Sequence, residues 1–451
     1  MNNRSLFRWI AFLAVTLLTK AHAQSYSVVK EFNGSDGQGP VGPLVLSENT
    51  LYGTTYIGGS SNYGTVFTLK TDGTGFSVLR NFLNPTHANG AIPSGNLILS
   101  GNTLFGTTEA GGQGLGTVFR MNTNGTAFSV IHPFGAGDPN SARPRGGVVM
   151  VGTTLFGTTY GKATPGGYGT IFRVNTNGNN FLAMLAFNPI VFPGDGSNPY
   201  TGLTAAGTNL YGTTYSGGNS GNGTIFRMGT NGGFSYLKHF TGSDGANPRT
   251  PLLLAGNTLF GMTWNGGTSS LGTIYKLNTN GTGFAVLKHF SGSDGSSPLG
   301  SLLLISNYLY GTTYSGGAFG LGTLFRIHTN GSSFAVIKDF NGSEGANPGG
   351  GLVRSGNLLY GTTYSGGSSD NGVIFALNLS TAVSITRSGS STEISWNSAL
   401  GLEYQLQFKT NLTQPSWFTL GEIINGDGPT TSVTDTIEPE QQRFYRVVLL
   451  H

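Results

Sequence analysis

The most regularly repeated residues that could do chemistry in this sequence are acids. Asp36, Asp195, Asp244, Asp294 and Glu344 each precede a glycine and stand four residues before a proline. A ring of carboxylates could bind calcium, but calcium takes about six to eight oxygens, and one acid per repeat lacks that clustering. We therefore favour turns in which the acid bonds its own backbone, and we keep calcium at these five acids as the alternative.

A second set of candidates lies where the copies of the repeat differ in length. The insertions surround the third and fourth copies and mix charged with aromatic residues, as binding surfaces do. We predict that they line a ligand-binding face, with neutral drift of tolerant loops as the alternative. The predicted residues are Asp138, Arg143, Arg145, Lys162, Tyr168, Phe192, Asp195 and Tyr200.

Known catalytic motifs are missing from the chain. It has no Gly-x-Ser-x-Gly elbow, no His-Glu-x-x-His, no phosphate loop and no cysteine. His239 and His289 stand on separate repeats without a third ligand, so they do not indicate a metal site. Lysine and arginine recur singly along the repeats, which is typical of a solvated rim. We predict no catalytic residue, no metal and no cofactor.

These residues belong to a tandem repeat. An aromatic-Gly-Thr-Thr core recurs seven times, with Met262 replacing one threonine, at intervals of about 51 residues. The period fits a propeller blade of four strands. In the sixth copy we predict strands A, B, C and D at 302–305, 309–314, 323–327 and 334–340, with Asn330-Gly331 as a two-residue hairpin between C and D. The copies begin at Tyr52, Phe105, Phe156, Tyr211, Phe260, Tyr310 and Tyr360.

One repeat is split between the two ends of the array. The seventh copy has no strand D after residues 373–377, whereas residues 26–32 match the strand D segment 284–290. We predict an all-β fold in which residues 24–379 form a seven-bladed β-propeller closed by the N-terminal strand. A linear solenoid is the alternative, but it would not explain the split repeat.

The repeat motif is also specific enough to indicate a family. Leu-Tyr-Gly-Thr-Thr-Tyr-x-Gly-Gly is followed by Gly-Thr-(Val/Ile/Leu)-Phe and then by Asn-Gly-x-x-Phe. This pattern resembles the GloVer tandem-repeat family of secreted bacterial proteins. The resemblance implies an exported, kelch-like repeat protein, and it implies no activity and no catalytic residues.

The C-terminal segment 380–451 differs in composition from the repeats. It contains five of the 75 glycines and six short alternating segments around Trp396, Tyr404 and Tyr445. These features predict a small β-sandwich. Ser395-Trp396-Asn397 and 444–447 loosely resemble fibronectin type III modules.

The N-terminal residues 1–23 have the pattern of a signal peptide. Arg4 and Arg8 precede an apolar stretch too short to span a bilayer, and Ala21-His22-Ala23 is a cleavage signal. We predict cleavage after Ala23, secretion or placement at the cell surface or in the periplasm, and no membrane insertion. Without this leader, the formal charge falls from +4 to +1, so no basic stripe supports nucleic-acid binding.

Three functions follow as hypotheses. The first is a non-enzymatic binding or adhesion protein that recognises carbohydrate, including polysaccharide, or a surface protein. In it, the aromatic-Gly-Thr-Thr-aromatic motif either supplies stacking and hydroxyl contacts to sugars or, as we favour, packs one blade against the next. The second is a propeller hydrolase or lyase acting on polysaccharide, which needs paired carboxylates. The third is a structural component of the cell surface.

Overall fold

The computed structural model describes residues 26–135, 142–161, 167–192, 194–379, 383–398, 403–425, 430–437 and 442–449. Every regular element within these ranges is a β-strand. No helix in the described ranges has the length and apolarity needed to cross a membrane. Tyr26–Leu379 forms one compact unit, and the described residues beyond it belong to a second unit.

The described residues of the first unit form seven antiparallel sheets of four or five strands, one for each repeat, and a small two-stranded sheet of β15 and β18. In chain order its strands are β1 Tyr26–Glu31, β2 Gln38–Pro40, β3 Val45–Ser47, β4 Thr50–Ile57, β5 Thr65–Lys70, β6 Ser77–Asn81, β7 Ile98–Ser100, β8 Thr103–Thr108, β9 Thr117–Asn122, β10 Ser129–Pro133, β11 Val149–Val151, β12 Thr154–Thr159, β13 Thr170–Asn175, β14 Leu182–Ala186, β15 Gly196–Ser197, β16 Thr204–Ala206, β17 Asn209–Thr214, β18 Ser216–Gly217, β19 Thr224–Gly229, β20 Gly232–His239, β21 Leu253–Ala255, β22 Thr258–Thr263, β23 Thr273–Asn278, β24 Ala285–His289, β25 Ser296–Pro298, β26 Leu303–Ile305, β27 Tyr308–Ser315, β28 Thr323–His328, β29 Ala335–Asp339, β30 Ala346–Pro348, β31 Val353–Ser355, β32 Leu358–Ser365 and β33 Val373–Asn378.

The predicted strands of the sixth repeat are present as β26, β27, β28 and β29, in that order across the sheet. The structure adds β25, which pairs with the far end of β27 and places Pro298 opposite Thr313. Strand A is therefore made of two pieces. Residues 299–302 lie between the pieces outside any strand, and this interruption recurs in the first and seventh repeats. It frees a short segment of backbone from the sheet.

The connection between strands C and D differs from the predicted two-residue hairpin. In the sixth repeat, β28 ends at His328 and β29 begins at Ala335, so the loop is longer. Within this loop Gly331 takes a positive φ of 93° and Ser333 one of 54°, whereas Asn330 does not. The backbone N–H of Gly331 donates to the carbonyl of His328 at 2.8 Å, and the Asn330 side chain accepts from the N–H of Ser332 at 2.9 Å. Asparagine thus stabilises the turn through its side chain instead of adopting the left-handed conformation.

The split repeat is joined as the sequence predicts. Strand β1 pairs with β33, with Tyr26 opposite Leu377 and Glu31 opposite Val373. The first and last repeats also share a buried cluster, in which Phe32 and Phe67 lie with Ile374. The two ends of the array are therefore held by both hydrogen bonds and apolar burial.

The aromatic-Gly-Thr-Thr core serves mainly to pack the sheets. Tyr52 and its counterparts are buried. A Cβ added at Gly53 would lie 2.4 Å from Cζ of Phe67, so this position admits only glycine. The hydroxyl of Thr55 lies 2.9 Å from that of Thr65 on strand C. The aromatic residue, the glycine and the second threonine thus make contacts within or between sheets. These three positions agree with the interpretation that the motif packs the sheets.

The described residues of the second unit form two three-stranded sheets, with orders β34-β35-β38 and β37-β36-β39. Buried Trp396 of one sheet and Tyr404 of the other have ring centroids 5.9 Å apart. Asp435 is buried and accepts hydrogen bonds from Arg443 and from the Tyr445 hydroxyl. The strands are β34 Val383–Ser388, β35 Ser391–Asn397, β36 Glu403–Lys409, β37 Phe418–Asn425, β38 Thr430–Thr436 and β39 Phe444–Leu449.

Candidate functional site

A single pocket of about 390 Å³ receives residues from all seven repeats, and we call it the central pocket. Its volume lies in the range of small-molecule sites, which is about 300–1,000 Å³. The residues lining it are Val41, Pro43, Tyr56, Ser94, Asn96, Glu109, Arg145, Gly146, Tyr200, Thr201, Gly202, Arg249, Pro251, Trp264, Leu299, Ser301, Tyr314, Gly349, Gly351 and Tyr364.

Two positions of the repeat supply most of the large side chains. The first directly follows the proline of strand A, where the backbone leaves the sheet. It is occupied in chain order by Val41, Ser94, Arg145, Tyr200, Arg249, Leu299 and Gly349, all of which line the pocket. The second directly follows the Gly-Thr-Thr core at the end of strand B. It is occupied by Tyr56, Glu109, Tyr160, Tyr215, Trp264, Tyr314 and Tyr364.

The second position forms an aromatic wall with one exception. Six of its seven residues are tyrosine or tryptophan, and only Glu109 carries a charge. Four of the six, Tyr56, Trp264, Tyr314 and Tyr364, line the pocket, and the ring centroids of Trp264 and Tyr314 are 5.6 Å apart. Burial, and then the negative charge of Glu109, raise the pKa of Tyr56, so this hydroxyl stays protonated and can donate. The wall offers ring faces and hydroxyls together.

Arg145 is neutralised within the pocket. Its Nε and Nη2 donate to Oε1 of Glu109 at 2.9 and 2.6 Å. Burial alone would lower the pKa of Arg145, but the charge and hydrogen bond of Glu109 outweigh that effect and raise it. The guanidinium also lies 4.5 Å from the ring centroid of Tyr160. Glu109 is only 9% exposed, so both oxygens have little access to solvent.

Arg249 occupies the same position two repeats later but has a different environment. Its guanidinium carbon lies 4.8 Å from the centroids of Tyr200 and Tyr215 and 4.6 Å from that of Trp264. Tyr215 stands where the repeat that precedes Arg145 has Glu109. Within the described ranges, no acid pairs with Arg249, and its buried Nε has no hydrogen-bond partner. The pocket therefore contains one compensated and one uncompensated cation.

Comparison with protein families identifies the repeat. The model of the Gloeobacter/Verrucomicrobia repeat matches residues 15–220, 85–268 and 206–407. The chain belongs to the Gloeobacter/Verrucomicrobia repeat family. This confirms the family predicted from the motif. No curated protein sequence matches the chain.

Two solved structures illustrate what this family member resembles, both at low identity. A puromycin-hydrolysing peptidase from Mycobacterium tuberculosis has a TM-score of 0.50 and 10% identity, over 84% of this chain and 62% of the peptidase. The chain thus spans less than two thirds of that enzyme. A nidogen/laminin complex chain has a TM-score of 0.38 and 14% identity, over 62% of this chain and 88% of the other. At these identities the likeness to the peptidase concerns the fold alone.

The structure places two of the eight predicted binding residues, Arg145 and Tyr200, in the central pocket. Tyr168 instead packs between two sheets beside buried Phe187. Arg143 is exposed with a φ of 56°, and Phe192 is 63% exposed. Asp138 and Lys162 lie outside the described residues.

Asp195 differs from the other recurring acids. It accepts hydrogen bonds from the hydroxyl of Tyr236 and from the backbone N–H of Asn188, the latter at 2.6 Å. Burial raises the pKa of Asp195 despite those backbone bonds. Leu185 occupies the strand D position at which several other repeats have lysine, so no lysine reaches this acid from that position.

The other four calcium candidates each pair with a lysine six residues earlier on strand D. Lys30–Asp36, Lys238–Asp244 and Lys288–Asp294 have N–O distances of 2.5 Å, and Lys338 pairs with Glu344. We call these four the turn pairs. Asp36 also accepts from the backbone N–H of Asn33, as the turn interpretation expects. Across the described part of the chain, no group of three or more acids and histidines is arranged to hold a metal ion.

Sequence reasoning missed Arg249, and for the aromatic residue after Gly-Thr-Thr it favoured packing over contact with a ligand. It looked for function in loops of unequal length, whereas the pocket is lined from segments of constant length. A usable signal was nevertheless present. In the aligned repeats, the residue after the strand A proline is valine, serine, arginine, tyrosine, arginine, leucine and glycine, between positions that scarcely vary.

Proposed function

We propose that this protein is an exported, non-enzymatic binding protein whose repeats close into a seven-bladed β-propeller with the central pocket on its axis. Three observations support closure. Strand β1 completes the sheet of the seventh repeat, the first and last repeats share a core, and every repeat contributes to one pocket. Export is inferred from the signal-like residues 1–23.

The proposed ligand is a saccharide, and the aromatic wall carries this proposal. Tyrosine and tryptophan present broad apolar faces with a polar group at the edge. A sugar ring has a matching character, because its C–H faces are apolar and its hydroxyls lie at its rim. The pocket has room for a small ligand or for the terminal unit of a glycan.

Hydrolysis is not proposed for this pocket. Glycoside hydrolysis generally uses two carboxyl groups on either side of the scissile bond. Among the described lining residues Glu109 is the single carboxylate, and Arg145 engages it. The geometry therefore favours binding over turnover.

The proposal is tested with a glycan array and with turnover assays on the same glycans, using the secreted chain. We expect binding without turnover, and we expect Trp264→Ala to weaken it about tenfold or more, because it removes one ring of the wall. Phe192→Ala is the matched control, since it removes an exposed aromatic residue outside the pocket. A failure to bind any glycan, or an equal loss in both variants, would refute the central pocket as a saccharide site.

A further inference from the structure

Arg249 lies in the central pocket without an acidic partner among the described residues. Three aromatic faces hold the guanidinium at 4.6–4.8 Å. Such faces attract the positive charge, but they do not accept the N–H groups that lie in the guanidinium plane. Its Nε is buried without a hydrogen-bond partner. The side chain is therefore oriented while its donors remain available.

The charge of the pocket is unbalanced for the same reason. Its described lining contains two arginines and one glutamate, and the glutamate pairs with Arg145. One formal positive charge is left at Arg249, in a cavity whose other walls are uncharged. An anion that enters would thus meet a half-buried charge, where electrostatic attraction is stronger than on an open surface.

A second, independent donor lies in the same cavity. Thr201 lines the pocket and is only 6% exposed, and its hydroxyl has no hydrogen-bond partner in the described ranges. A buried polar group without a partner costs stability unless something binds to it. Both residues line the pocket and both groups can donate, so once these buried groups turn toward the pocket they favour a ligand that supplies acceptor oxygens.

We propose that the central pocket selects a carboxylate-bearing sugar of the uronic acid type, with its carboxylate on Arg249. This rests on the saccharide function proposed above. The planar fork of arginine matches the two oxygens of a carboxylate, and the hydrogen bonds are charge-assisted. The sugar ring packs on the aromatic wall, and Thr201 donates to an acceptor oxygen of the ligand.

The test compares matched pairs of disaccharides by calorimetric titration of the secreted chain. Each pair consists of a disaccharide ending in glucuronate, galacturonate or mannuronate and its neutral counterpart. For at least one pair, we expect the acid to bind on the order of tenfold more tightly, with a preference that decreases as salt is added. Sulfated disaccharides and acetate are included as further arms.

Variants then assign the preference to one residue. Arg249→Gln should reduce the affinity for the acid to that for the neutral sugar, and Arg249→Lys, which keeps the charge without the fork, should retain part of the preference. Arg227→Gln is the control for net charge, because Arg227 lies on strand C outside the pocket lining. It should leave the preference unchanged.

The outcomes separate this inference from the function on which it rests. Equal binding of acid and neutral sugar, or a preference that survives Arg249→Gln, overturns the inference and leaves saccharide binding intact. Tighter binding of the sulfated sugars, or binding of acetate as tight as that of the uronate, also overturns it, because the ligand would then be another anion. No binding of any saccharide overturns both proposals.

Discussion

The ion pairs of the turns repeat from sheet to sheet, whereas the charges of the central pocket do not. The four turn pairs have one geometry, a strand D lysine with an acid six residues later, and each lysine also lies over an aromatic ring. Arg145 and Arg249 share a position in the repeat, but one is paired and the other is not. A contact that recurs in register is part of the architecture. A difference between equivalent positions is where recognition can reside.

The neighbour from the preceding repeat decides between the two arginines. Arg145 meets Glu109, and Arg249 meets Tyr215 at the equivalent position. The residue at the end of strand B thus sets whether the arginine of the next repeat is paired with an acid or unpaired. This comparison predicts that replacing Tyr215 with an acid would pair Arg249, and that removing Glu109 would leave Arg145 unpaired.

The largest effect is expected from Tyr215→Glu. The new carboxylate would pair with Arg249, as Glu109 does with Arg145, and would repel an anionic ligand. We expect the affinity for an acidic disaccharide to fall about ten- to a hundredfold in calorimetric titration. Tyr215→Gln is the matched control, because it removes the ring without adding a charge. An equal loss of affinity in both variants would show that the missing ring, and not the added charge, causes the loss, and would contradict this comparison.

An intermediate effect on stability is expected from Glu109→Gln. It leaves the mostly buried guanidinium of Arg145 without its acid, and we expect the free energy of unfolding to decrease by about 1–3 kcal/mol. Urea unfolding of this variant, of Arg145→Gln and of the double variant forms a cycle that isolates the pair. A coupling free energy near zero would show that the aromatic faces alone hold Arg145, as they hold Arg249.

The smallest effect is expected from Lys238→Met in a turn pair. The side chains of Lys238 and Asp244 are each 20% exposed. We therefore expect the free energy of unfolding in urea to decrease by about 0.2–1 kcal/mol and the ligand affinity to stay unchanged. Lys276→Met, on strand C, is the control. A loss of ligand affinity in Lys238→Met would contradict the separation between turns and pocket.

The same variant should change the response to acid. Burial alone would raise the pKa of Asp244, but the hydrogen bonds from Lys238 and Thr241 lower it below its ordinary value of 3.8. A lowered folded-state pKa means that the carboxylate stabilises the fold above 3.8 and that this contribution disappears as the pH falls further. The stability difference between wild type and Lys238→Met should therefore close below pH 3.8. A stability difference that persists in acid would show that it comes from the lost packing of the Lys238 side chain and not from the ion pair.

Much of the fold could be predicted because each repeat encodes it locally. The period and the order of strands A to D follow from patterns within about 51 residues, and the pairing of β1 with β33 follows from comparing the incomplete last copy with the N-terminal segment. The errors were also local. Asn330-Gly331 was assigned to a two-residue hairpin, but its glycine closes a longer loop. The sequence alone does not show how many residues such a turn leaves unpaired.

The sequence by itself determined the family, the repeat and the place of glycine in its turns, since those depend on near neighbours. Only the tertiary structure decided which side chains meet. Tyr200, Tyr215 and Trp264 lie in two different repeats, and they surround Arg249 only because successive sheets pack side by side. A contact of this kind depends on the rotation between sheets, which no single repeat specifies. The partnerless arginine therefore became visible only in three dimensions.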